Sequence, residues 1–553
     1  MRDEADAVDK KKVVHRRYAP KTRTGCFTCK IRRVKCDEAK PFCNRCTSTG
    51  RKCDGYAVIS PTSSKSPTTP SLSVALAFDV STDALEKRTF DFFRTRTVPC
   101  VSGYFSDSVW DRLVLQVCHS EPAVRHAVNA LGALHEERFL RQNANQGGVD
   151  VSLVQTSFPL KQYSKALSGL QALLNTKNVC LDLVILCSIL CIHFEALREN
   201  FTPALIHADN AIRLLHGTGA LDSGKVDPSL IAAMLRIDIQ GSRYLGMRVP
   251  GLSFLASISD SEIPLAFNDL PHARALLNIW TCRLFYFMRT EADKYKFDEG
   301  GQVPIEVIAK SQELEKTFME TDTLLWNFMQ KPNLKLTFRE QLGLSALRAR
   351  TKMNRILAAC SVYAETTLYD AFIDDFDDIL STCKYVIKSE NPDYRLFAVS
   401  IDEDLLHPLH FTASHCRDSR IRKDALAELI KLKGDHVIWH VSTLIKSAEG
   451  IIQYEESACE VSNPRPSDIP EWQRVHSLIF EGRPSSSMNK PVLKINLLTR
   501  PNGQDGEFFD IESFVDIDRD MPDLSMYQQQ GDSPTSNRAR DFGLVMRSRP
   551  IEG

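Results

Sequence analysis

Apolar residues recur at the spacing of helices through most of the chain. After Pro122, for example, Val124, Val128, Leu131 and Leu134 fall on one helical face. Comparable stripes occupy 160–174, 180–198, 203–216, 227–246, 273–290, 338–366 and 420–432. This pattern predicts an all-α body of a dozen or more helices, which we place at residues 85–500.

The helical pattern is absent from the segment that precedes the body. Residues 54–84 are rich in Ser, Thr, Pro and Lys, which is typical of a flexible linker. No apolar heptad lies between Asp54 and Ala84, so the sequence gives no support for a coiled coil there. Dimerisation therefore stays open.

Charge is distributed unevenly along the chain. The net charge is −1, yet residues 1–53 hold 16 Lys and Arg against 6 Asp and Glu, which leaves 53 basic and 64 acidic residues for the remainder. A basic N-terminal segment on an acidic body suggests a polyanion as the partner of that segment alone. We treat residues 1–25 as a basic arm.

Neither a membrane span nor a secretory signal is predicted. The most apolar run, 183–192, covers ten residues, far fewer than the roughly 20 that a transmembrane helix needs. In a reducing compartment, the 16 cysteines are better explained by metal binding or by buried thiols than by disulfides. Cys180, Cys187 and Cys191, for instance, are predicted to be core thiols because their neighbours are Leu, Val and Ile.

Six cysteines at the end of the basic segment form an internal repeat. They are spaced C-x2-C-x6-C-x6-C-x2-C-x6-C and comprise Cys26, Cys29, Cys36, Cys43, Cys46 and Cys53. Structural zinc requires four ligands, so six thiolates suffice for two ions if two sulfurs are shared. The repeat makes the first cysteine of each half, Cys26 and Cys43, the natural bridge. We therefore predict two zinc ions in a domain at residues 26–53, hereafter the head.

The head resembles the binuclear zinc-cluster domain of fungal transcription factors of the galactose-regulator type. The resemblance covers the six cysteines, the basic run Lys30–Lys35 and Pro41. Pro41 matches the proline of the loop between the halves, where a cis peptide bond is usual in that family. Phrases in the body, such as Trp110–Leu113 and His415–Asp418, resemble the fungal-specific helical regulatory domain. The implied partner is double-stranded DNA, and the implied location is the nucleus.

This resemblance also implies which residues contact DNA. The helix after the second cysteine would enter the major groove at a CGG-like triplet, with Arg32 and Arg33 on the bases. Arginine forks match the O6 and N7 acceptors of guanine. Lys30 and Lys35 are assigned to phosphates or base edges.

Residues 501–553 are predicted to be a disordered acidic tail. Between 505 and 524, eight acidic residues and one Arg are interleaved with apolar ones that include Phe508, Phe509 and Phe514. This alternation is typical of activation segments that recruit the transcription machinery. A merely solvated acidic tail is the alternative.

The sequence as a whole therefore predicts a sequence-specific transcription factor of RNA polymerase II genes and no enzyme, since none of the common catalytic motifs is present. Its targets would be a metabolic gene set, with a secondary-metabolite gene cluster as one option. Three alternatives stay open: a metabolite-sensing nuclear regulator of nutrient use with a small-molecule effector, a repressor in place of an activator, and a zinc-buffering protein.

Overall fold

The computed structural model describes residues 26–32, 34–53, 83–144, 157–219, 224–245, 248–252, 263–296, 302–331, 334–389, 405–432, 441–483, 492–502 and 509–516. The predicted basic arm, nearly all of the linker, Arg33 and the tail beyond 516 lie outside these ranges. The chain divides into two compact units, Met1–Ala77 and Phe78–Gly553.

The first unit contains the head, which includes two short helices, α1 (Phe27–Ile31) and α2 (Asn44–Thr47). Each helix begins directly after the first cysteine of one half of the repeat. The six cysteines are the buried cluster of this unit among the described residues. Because so little apolar surface is buried, hydrophobic packing cannot account for the stability of the head.

The second unit is built of helices, which confirms the predicted all-α class. The α-helices are α3 (Ala84–Phe92), α4 (Val98–Val101), α5 (Val114–Ser120), α6 (Pro122–Ala144), α7 (Ser157–Leu174), α8 (Leu181–Leu197), α9 (Phe201–Gly217), α10 (Pro228–Leu245), α11 (Leu270–Phe287), α12 (Asp293–Lys296), α13 (Ile305–Met329), α14 (Phe338–Cys360), α15 (Ile373–Ser389), α16 (Leu406–His415), α17 (Ser419–Lys431) and α18 (Val441–Glu456). Among the described residues, three π-helical segments (Phe93–Thr97, Val109–Leu113, Met288–Ala292) and three 3-10 segments (Thr366–Phe372, Pro466–Asp468, Glu471–Gln473) join or extend these helices.

Local side chains define where several of these helices begin. Asp83 accepts hydrogen bonds from the backbone N–H groups of Leu85 and Glu86 at the start of α3. Thr337 and Glu340 form a reciprocal capping box at the start of α14. Such caps satisfy backbone donors that have no partner within the helix.

The core is organised around α8, whose side chains are buried on almost every side. Cys187 and Cys191 are 0% exposed within it, whereas Cys180 precedes the helix and is exposed. The buried apolar side chains form three large clusters. The first contains α8 and joins α3–α10, the second joins α14–α18, and the third joins α11, α13 and α14. A helix that is apolar all round is expected at the centre of such a body. Of the helices that the structure describes, none is both long enough and apolar enough to cross a membrane.

A buried ion triad ties the last helices together. Both Arg417 and Arg422 donate to the Glu455 carboxylate at 2.7 Å, and all three side chains are 0% exposed. Glu455 also accepts the Val475 backbone N–H at 2.9 Å, where the first strand begins. Burial opposes ionisation of Glu455, but the two guanidinium groups hold its pKa below the usual range. The carboxylate therefore stays charged inside the protein.

A three-stranded antiparallel sheet follows the helices, where the sequence predicted the end of the body and a disordered tail. Strand β1 (Val475–Arg483) pairs with β2 (Val492–Thr499), and β2 pairs with β3 (Phe509–Asp516) at the sheet edge. The register aligns Leu497 with Ile511 and Thr499 with Phe509. The reason for the difference is that alternation of apolar and acidic residues also suits a strand, once a partner strand is present.

Candidate metal centre and nucleic-acid interface

The first half of the head places two cysteines on one face of α1. Cys26 lies at the start of the helix, and its sulfur accepts the Cys29 backbone N–H at 3.4 Å. Residues three apart in a helix are neighbours on its surface, so both sulfurs point to the same side. The second half places Cys43 and Cys46 in the same way around α2, although the Cys43 sulfur accepts no backbone N–H of that helix.

The remaining two cysteines, Cys36 and Cys53, each accept a backbone hydrogen bond from the first cysteine of their own half. The Cys26 N–H donates to the Cys36 sulfur, and the Cys43 N–H donates to the Cys53 sulfur, both at 3.4 Å. The two contacts span ten residues each, which reflects the repeat in the sequence. Backbone donors of this kind stabilise negative charge on sulfur and orient it toward a metal.

The sulfur positions fit zinc. Across the two halves, Cys26 lies 3.5 Å from Cys43 and 3.8 Å from Cys46, while Cys29 lies 3.7 Å from each of them. A tetrahedron of sulfurs with Zn–S bonds of about 2.3 Å has edges of about 3.8 Å. The six side chains are at most 5% exposed, so water is largely excluded from the site.

The site also needs compensating positive charge. Burial raises the pKa of Cys26 to about 12, and burial raises the pKa values of Cys29 and Cys43 as well. Without cations these three sulfurs therefore remain protonated thiols. Zinc binding must release those protons, because only the thiolate is a ligand.

Asp37 links the two halves and was not singled out from the sequence. Its carboxylate accepts the backbone N–H groups of Asn44 at 2.9 Å and of Arg45 at 3.2 Å. Desolvation raises the pKa of Asp37, but the hydrogen bonds from these backbone donors outweigh it and lower the pKa below its usual range. Cys43 gives no side-chain cap to α2, so Asp37 supplies the missing acceptors from the other half. Asp37 lies seven residues before α2, and no local sequence signal for a helix cap spans that distance.

The residues that are predicted to contact DNA differ in how exposed their side chains are. Lys30 and Lys35 are exposed, while Arg32 is half-buried at the end of α1. The Arg32 Nη1 atom is buried and has no hydrogen-bond partner in the protein. Arg33 lies outside the described residues. The exposed cations of the described head are Lys30, Lys35, Lys40, Arg45, Arg51 and Lys52.

The loop between the halves contains a cis peptide bond at Lys40–Pro41, as the resemblance implied. Pro41 and Phe42, which precede Cys43 in this loop, are both exposed.

Comparison with known protein families agrees with this geometry. Residues 24–63 match the fungal Zn(2)-Cys(6) binuclear cluster domain. Residues 88–275 match the fungal specific transcription factor domain. The chain thus carries the zinc-cluster domain followed by the helical domain of fungal transcription regulators, and the predicted resemblance is confirmed. The predicted cofactor, two zinc ions, is confirmed with it.

The individual relatives are regulators of fungal genes. The aspercryptin biosynthesis cluster-specific transcription regulator of Emericella nidulans is 29% identical over 222 residues, 35% of either chain. A transcription regulator of Purpureocillium lilacinum is 30% identical over 211 residues, which are 34% of this chain and 47% of the relative. A transcriptional regulatory protein of Schizosaccharomyces pombe is 64% identical over 36 residues, 6% of this chain and 7% of the relative.

The first two matches thus span between a third and a half of those relatives' own length. No solved structure matches the chain significantly.

Proposed function

We propose that this chain is a zinc-dependent, sequence-specific DNA-binding regulator of transcription that acts in the nucleus. The observation that carries the proposal is the head itself. The head buries six cysteine sulfurs, four of which lie 3.5–3.8 Å apart across the halves as in a zinc tetrahedron, and its surface carries six exposed cations. A zinc store without DNA specificity would not need that cationic surface.

In this proposal all six cysteines are zinc ligands, and Cys26 and Cys43 bridge the two ions. Their sulfurs form the shortest of the measured sulfur pairs across the halves, at 3.5 Å. Each also adjoins a cysteine of the opposite half, Cys46 and Cys29 respectively. A bridging thiolate must contact ligands of both metals, and this placement supports that role.

The proposed DNA contacts divide into two kinds. Arg32 and Arg33 contact guanine edges of a CGG-like triplet, and Lys30 and Lys35 contact phosphates or neighbouring base edges. The place of Arg32 at the end of α1 supports its assignment, because an arginine fork there matches the O6 and N7 acceptors of guanine. Exposed Lys30 and Lys35 suit contacts to phosphate, which need no defined geometry.

The proposed targets are genes of metabolism. One relative is named as a regulator specific to a biosynthesis cluster, which supports a secondary-metabolite gene cluster as the target of this chain. The body would then serve regulation rather than catalysis, and the acidic residues 505–524 would contact the transcription machinery.

The decisive experiment is a selection of bound sequences from a random DNA pool by the full chain. The expected result is an enriched CGG-like triplet in the presence of zinc and no enrichment after chelation. Enrichment of no sequence at all, with zinc bound, contradicts the proposal.

A further inference from the structure

One apolar side chain on α1 has no place in the metal centre. Ile31 is 78% exposed, the most exposed large apolar side chain among the described residues of the head. With about 100° of rotation per residue, it lies about 140° from Cys26 and about 160° from Cys29 around the helix. Ile31 is therefore on the side of α1 opposite the sulfurs.

The position of Ile31 determines what it could contact. Its neighbour Lys30 is exposed, and the half-buried Arg32 follows it. If α1 enters the major groove with its sulfur-distal face, Ile31 meets the floor of the groove and not the phosphates. The apolar group on that floor is the C5 methyl of thymine, which distinguishes T·A from the other base pairs.

We propose that Ile31 is a specificity-determining residue that contacts the methyl group of one thymine beside the recognised triplet. This inference rests on the proposed function, since it requires α1 to bind in the major groove. It extends the recognised site beyond the guanine contacts, and it gives the exposed Ile31 side chain an apolar partner on DNA.

Replacing thymine by deoxyuridine removes only this methyl group and leaves base pairing unchanged. The preferred site found by selection is therefore synthesised with single uracil replacements at each thymine on either strand, within and beside the triplet. Binding of the full chain to each duplex is measured by fluorescence anisotropy. One replacement is expected to weaken binding about fourfold, the value for one buried methyl group.

The matched variants are Ile31→Ala and Phe42→Ala. Ile31→Ala should bind the thymine and uracil duplexes equally, so the methyl effect disappears. Phe42 is 56% exposed on the loop between the halves, and Phe42→Ala should keep the fourfold methyl effect. Both variants should bind two cobalt ions with the same thiolate absorption as the unaltered chain, which shows that the head is intact.

The outcomes separate this inference from the proposed function. Selective binding that no thymine methyl affects overturns the role of Ile31 and leaves the function standing. The same holds if Ile31→Ala retains the full methyl effect. A chain that selects no sequence at all overturns both.

Discussion

The head and the body are stabilised by different physics. In the described head, the buried cluster consists of the six cysteines, which are ligands of zinc rather than a hydrophobic core. The body buries three large apolar clusters together with paired charges such as Glu455 and its two arginines. One chain therefore combines a unit that is held together by metal ligands with a unit that is held together by apolar burial.

The largest expected effect is therefore the unfolding of the head when zinc is removed. A chelator should abolish DNA binding and leave the helical circular dichroism of the chain nearly unchanged, because zinc contributes about 10–16 kcal/mol to domains of this kind. Cys43→Ala should be more damaging than Cys53→Ala, since a bridge serves both ions. Native mass spectrometry counts the zinc ions, and a single zinc per unaltered chain contradicts the shared-ligand scheme.

Cys180→Ala provides the control for the cysteine variants. Cys180 is exposed and lies in the body, so its replacement should change neither the zinc count nor DNA binding.

A smaller loss is expected in the body when its buried triad is broken. Glu455→Ala leaves Arg417 and Arg422 buried without their carboxylate, and should lower the free energy of unfolding by about 3–5 kcal/mol. Urea denaturation followed by circular dichroism measures this effect, and zinc content should not change. Glu449→Ala, which removes the exposed pair with Lys446, should cost less than about 1 kcal/mol. Equal losses for the two variants would show that the triad is not structurally important.

Next in size is the effect of Arg32→Ala on DNA recognition. Base contacts discriminate between sequences, whereas phosphate contacts do not. The variant should bind a CGG site more weakly by about 1–3 kcal/mol and random DNA almost as well as before. Neutralising Lys10, Lys11 and Lys12 should instead weaken both to a similar degree and reduce the salt dependence. Titrations at two salt concentrations test this difference, and equal losses on both DNAs for Arg32→Ala would contradict base contact.

The smallest effect is expected at Asp37. Asp37→Ala removes both acceptors from the start of α2 and should modestly speed the loss of zinc, because the helix loses its cap. The measurement is the rate at which a chelator extracts zinc, with two ions still bound at the outset. Lys40→Ala, an exposed change in the same loop, should leave that rate unaltered. No acceleration in Asp37→Ala would mean that the zinc ions alone hold the halves together.

A feature of this fold can be predicted from the sequence when the residues that define it lie close together along the chain. The six cysteines are predictable because ligand number and spacing are written along 28 residues, and the helices because their period is local. Glu455 was not predictable, since its partners are 33 and 38 residues away and a lone glutamate in a helix usually faces solvent. Strand β3 was missed for the same reason, because its partner β2 lies in a segment assigned to the helical body.

The edge position of β3 has a practical consequence for deletion mapping. A chain truncated before Phe509 would lose one of the two partners of β2, so that the mostly apolar β2 would replace the acidic β3 as the edge strand. Bare strand edges of that kind pair with other chains and promote aggregation. A truncated protein could thus fail in a reporter assay through insolubility, so the acidic segment is better tested by charge-neutralising substitutions that keep the strand.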